Sequence, residues 1–69
     1  MPKKIRELKA ALRKAGFAPR PGKGSHTVWE HPDLDEEVTL SGNDGDDAKP
    51  YQEKYVRRLL RKLKEVQDE

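Results

Sequence analysis

The run Lys23-Gly24-Ser25-His26 gathers, within four residues, the side chains that chemistry on a phosphodiester requires. Histidine exchanges protons near neutral pH, lysine supplies charge, serine supplies a hydroxyl, and the glycines on either side of Lys23 let backbone approach a phosphate closely. Cleaving RNA without a metal means removing a proton from the 2′-hydroxyl, stabilising a crowded phosphorane and protonating the departing 5′-oxygen. A histidine at the rim of an open sheet can serve the first or the last of these steps. His26 is therefore the candidate catalytic group. Arg20 and Lys23 flank the turn that presents it and are candidates for holding the scissile phosphate, with Gly24 and Ser25 completing the cradle. An exposed histidine at the start of a strand is also an ordinary surface residue, and Arg20 and Lys23 read equally as surface charge. The residues alone leave both readings open.

A metal site is not expected. There is no cysteine, and His26 and His31 lie five apart on one expected strand, where alternation sends them to opposite faces. The stretch from Gly42 to Asp47 looks superficially like a calcium loop but lacks the Asp-x-Asp-x-Asp-Gly spacing and the distal bidentate Glu, so it reads as a solvated connection or a partner contact. No cofactor is expected either.

The elements that must position these residues follow from periodicity. Ile5, Leu8, Ala11, Leu12 and Ala15 repeat at helical spacing and predict a helix from Lys3 to Ala15, with Arg6, Lys9, Arg13 and Lys14 on its other side. Gly16 stops it in the left-handed conformation, and Phe17 folds back on the apolar stripe. Phe17 to Arg20 reads as a short extended piece held to a sheet edge by Pro19 and Pro21, which lack donors. Gly22-Lys23-Gly24 is a turn. Ser25 to His31 is the best strand, ended by Pro32, with Trp29 inward and His26 outward. Asp33 to Asp35 connects it to a third strand, Glu37 to Ser41, with Val38 and Leu40 inward. Gly42 to Lys49 is a polar loop. From Pro50, a good first helical residue, Tyr51, Tyr55, Val56, Leu59, Leu60, Leu63 and Val66 predict a last helix, with the two tyrosines packing in the core and their hydroxyls at its edge. Lys54, Arg57, Arg58, Arg61 and Lys64 fall on its opposite side. The order is α-β-β-β-α: an α+β fold in which a three-stranded antiparallel sheet carries both helices on one face.

Composition sets the outer limits. A chain of 69 residues, 32% hydrophobic and 41% charged, reads as one domain over 1–69 with a thin core, since a domain of this size buries only about 60% of the surface of its unfolded chain. No apolar run approaches the roughly 18 residues of a membrane span, and the N-terminus leads into an amphipathic segment rather than a signal peptide, so the expected location is cytoplasmic with no membrane partner. The net charge of +2 conceals segregation. Residues 1–23 hold eight Lys or Arg against one Glu, residues 30–47 hold eight Asp or Glu and no Lys or Arg, and residues 48–69 hold seven basic and four acidic side chains. Basic ends around an acidic middle suit an anionic polymer on one surface and another partner elsewhere.

Gly16-Phe17 closing the first helix, Lys23-Gly24-Ser25-His26, His31-Pro32, Val38-Thr39-Leu40 and the helix from Pro50 together resemble the HicA toxin family over nearly the whole chain. That resemblance implies a fold like that of double-stranded-RNA-binding domains (dsRBD-like), endoribonuclease cleavage of mRNA, and neutralisation by a HicB-like antitoxin that covers the active site. The family's catalytic histidine is the one in Gly-Ser-His, which corresponds to His26. One departure stands out: where the family has a short, often Pro- and His-containing connection after the third strand, this chain has Gly42-Asn43-Asp44-Gly45-Asp46-Asp47, whose three aspartates repel phosphate. Two alternatives share the charge pattern, a non-catalytic RNA-binding module and a small protein-interaction domain.

Overall fold

The computed structural model describes residues 3–24 and 26–68. Five elements follow in the expected order: α1 (Ile5–Lys14), β1 (Ala18–Pro21), β2 (Thr27–Glu30), β3 (Val38–Leu40) and α2 (Pro50–Gln67). Helix α1 starts where Lys4 N–H donates to the Glu7 carboxylate at 2.7 Å. It ends in a paired cap, with Gly16 N–H donating to Arg13 C=O and Phe17 N–H to Leu12 C=O at 3.1 and 3.0 Å. That cap requires the left-handed φ of +101° at Gly16. A side chain there would also meet His31, whose Nε2 lies 3.1 Å from where a Cβ would sit.

The sheet runs β1-β2-β3, antiparallel throughout. β1 therefore lies at an edge, as its two prolines demand. Trp29 pairs with Pro19 and Val38, while Val28 pairs with Arg20 and Thr39. Alternation turns the Trp29 row toward the helices and the Arg20-Val28-Thr39 row away from them. The core is correspondingly one layer thick: Ile5, Leu8 and Leu12 from α1 and Val56, Leu59 and Leu63 from α2 close over Trp29, Val38 and Leu40, with Phe17 and Ala48 at its margins. Burying each such aliphatic side chain contributes about 1.5–3 kcal/mol before chain entropy is subtracted. The Trp29 indole N–H is buried without an acceptor among the described residues, so this ring is held by packing and by the Arg13 guanidinium, 5.5 Å above its centroid.

Several expectations are corrected in detail. β2 is shorter than Ser25 to His31: Ser25 lies outside the described residues, His26 belongs to the hairpin, and His31 has left the ladder. His31 Nδ1 instead accepts from Asp33 N–H at 3.0 Å, with its ring edge-on to Phe17. β3 loses Glu37 and Ser41 at its ends. On α2 the buried stripe is Gln52, Val56, Leu59 and Leu63, whereas Tyr51 is 62% and Tyr55 36% exposed, and Val66 is also exposed. Gln52 displaces the tyrosines because its amide has work at the sheet end: Oε1 accepts from Lys49 N–H at 2.8 Å and Nε2 donates to Ser41 C=O at 3.3 Å.

Candidate functional site

The β1-β2 hairpin presents His26. Gly22 N–H donates to His26 C=O and His26 N–H to Lys23 C=O, both at 3.1 Å, so the chain turns tightly between the two strands. Gly24 takes φ +60° in that turn. Gly22 faces His26 so closely that a Cβ on it would lie 3.2 Å from the His26 carbonyl oxygen and 3.3 Å from its Cβ. Both glycines thus suit the hairpin itself, Gly22 by its close approach to His26 and Gly24 by its positive φ, whatever they offer a phosphate. Lys23, Gly24 and His26 are all exposed, and His26 stands at the end of the sheet. Ser25 lies outside the described residues.

Arg20 shares the open face, opposite Val28 and therefore one diagonal step, about 7–8 Å, from His26 along the ladder. Its guanidinium points the other way. Nη2 reaches Glu37 at 3.2 Å, toward the far end of the sheet from the hairpin. The hairpin thus gathers Lys23, Gly24 and His26, while Glu37 holds the head of Arg20 apart from them. Glu37 was not among the expected site residues, and no sequence spacing connects it to Arg20; only the strand register does.

The acidic 42–47 segment is not merely solvated. Carbonyls of Asp46 and Asp44 accept from the Ile5 and Arg6 N–H groups at 2.9 and 3.2 Å, capping donors that the first turn of α1 leaves unpaired. Its carboxylates then fall on the basic side of the same helix. Lys4 pairs with Asp47, and Lys9 Nζ lies 2.7 Å from Asp44. Lys9 holds the Asp44 carboxyl below its usual range, chiefly by that hydrogen bond, with Arg6 and Arg13 adding weaker attraction. A second tie joins the β2-β3 connection to α2, where Glu36 bridges Arg58 at 2.7 Å and Lys62 at 2.6 Å. Hydrogen bonds from Arg58 and then Lys62 hold Glu36 at about 2.

Among the described residues no group of three or more His, Asp or Glu side chains is arranged to hold a metal ion, and no helix is long and apolar enough to cross a membrane. A small α+β domain with an exposed histidine on a tight basic hairpin defines the class. The family model for the HicA toxin of bacterial toxin-antitoxin systems matches residues 5–65, and the chain belongs to that family. It is accordingly the toxin of such a pair, and the pairing implies an antitoxin partner. Neither the curated proteins nor the solved structures give a match.

Proposed function

We propose that this toxin is a metal-independent endoribonuclease that cleaves mRNA with His26 as proton-transfer group, and that a HicB-like antitoxin silences it by covering the hairpin. The observation that carries this reading is the exposed His26 on a hairpin of exposed Lys23 and Gly24, within a chain that matches the HicA model over 5–65. In the step proposed, His26 takes the proton from the 2′-hydroxyl or delivers one to the departing 5′-oxygen. The 2′-oxygen bonds to phosphorus as the P–O5′ bond breaks, leaving a 2′,3′-cyclic phosphate and a 5′-hydroxyl. Lys23 and the hairpin backbone stabilise charge on the phosphorane, with Ser25 as a further donor and Arg20 joining once it leaves Glu37.

His26→Ala tests the assignment. His26 is exposed and lies outside the hydrophobic core, so the variant keeps its fold and melting temperature while cleavage falls by about 10²–10⁴, the usual contribution of a positioned acid or base. Undiminished cleavage by a folded His26→Ala protein would refute it.

A further inference from the structure

The outer side of α2 carries cations that the protein itself leaves unused. Gln52, Val56, Leu59 and Leu63 form the buried stripe. At 100° per residue, Lys54, Arg57, Arg58 and Arg61 fall about 180° away, in one row extending about 10 Å along the helix. These four side chains alone line a shallow hollow of about 290 Å³. Arg58 is engaged with Glu36, but among the described residues Lys54, Arg57 and Arg61 have no carboxylate in salt-bridge reach, although Glu53 and Glu65 stand one turn away from Arg57 and Arg61. The hollow has no apolar side chain to anchor a protein partner, and its charge is of one sign.

We infer that this row is the track for the RNA backbone leading to the hairpin, an inference that rests on the ribonuclease reading. The geometry gives the route. Gln52, in the first turn of α2, is bonded to Ser41, and Ser41 follows Leu40, the partner of Thr27. The start of α2 therefore lies at the end of the sheet that carries His26, and a strand leaving the row passes it on the way to the hairpin. The row faces away from the sheet, so RNA touching both must cover a distance comparable with the molecule's shortest extent of 18 Å. That is roughly five nucleotides at a stacked rise of about 3.4 Å per strand. Phosphate contacts of this kind hold RNA in place without reading its sequence.

The test compares two charge variants in direct binding and in cleavage. Arg57→Glu/Arg61→Glu, and Arg57→Gln/Arg61→Gln as the milder form, alter exposed side chains and leave the melting temperature unchanged. Fluorescence anisotropy with a long single-stranded RNA, titrated with salt, reads affinity without requiring turnover. Losing two phosphate contacts flattens the slope of log affinity against log salt by about 1.4 and weakens binding about tenfold at low salt. Lys9→Gln, whose ammonium is already paired with Asp44, changes affinity less than either α2 variant. Cleavage of the long RNA falls with binding, whereas cleavage of a dinucleotide, too short to reach α2, is unchanged. Parent-like binding by both α2 variants, tighter binding to phosphatidylserine vesicles than to RNA, or no RNA binding by the parent overturns the inference. An α2-dependent affinity with cleavage that survives His26→Ala upholds it while removing the catalytic reading, so the two failures are distinguishable.

Discussion

Helices α1 and α2 are written alike, each with an apolar stripe on one side and a row of Lys and Arg on the other, yet the molecule treats their charged faces differently. The α1 face is met by the 42–47 loop, whose carbonyls cap the helix start and whose Asp44 and Asp47 pair with Lys9 and Lys4. Among the described residues, the salt bridges to the α2 face lie at one margin, where Glu36 takes Arg58 and Lys62. A basic helix face is therefore not a binding surface by composition. What decides is whether another part of the chain brings carboxylates to it, and here the 42–47 loop supplies them.

The largest change to this contrast comes from Asp44→Asn/Asp47→Asn. The substitutions leave the carbonyl caps and Asp46 intact and cost little stability, since exposed ion pairs contribute about 0–1 kcal/mol each. They release Lys4 and Lys9. RNA affinity should then rise, with a salt dependence steeper by about 1.4 if both cations find phosphates. An unchanged salt dependence in the same anisotropy titration would mean that α1 is kept from RNA by its position and not by the loop.

A smaller effect is expected from Glu36→Gln, which frees Arg58 and Lys62 at the edge of the α2 row and should tighten RNA binding modestly. The same carboxylate gives a pH signature. Its folded value of about 2 lies below the ordinary 4.5, so its contribution to stability is complete above about 4.5 and is lost as pH falls toward 2. Acid titrations of melting temperature for parent and Glu36→Gln should converge in that window. Parallel curves across it would show that the Glu36 bridge stabilises nothing.

Much of the architecture was legible in the sequence because its signals are local. Gly16 before Phe17 fixes the end of α1, Pro19 and Pro21 place β1 at an edge, and the single Trp had to face inward. Tyr51 and Tyr55 misled because apolar spacing cannot say that a buried Gln52 will claim the inner position by bonding Ser41 and Lys49. At the site, His26, Lys23 and Gly24 were readable from one short run. The grip of Glu37 on Arg20 and of Asp44 on Lys9 was not, since each joins residues far apart in the chain. The role of Gly22 was half legible: the turn was evident, but the close approach to His26 that would crowd a Cβ belongs to the hairpin geometry.

Acid-base cleavage through the 2′-hydroxyl, served by His26 without a metal, is the central claim, and the ends of the products test it most directly. RNA incubated with the purified toxin in excess chelator, beside His26→Ala, should be cut by the parent alone and should carry 2′,3′-cyclic phosphate and 5′-hydroxyl ends. Cleavage that appears only when magnesium is restored, or products bearing 5′-phosphates, would contradict the account.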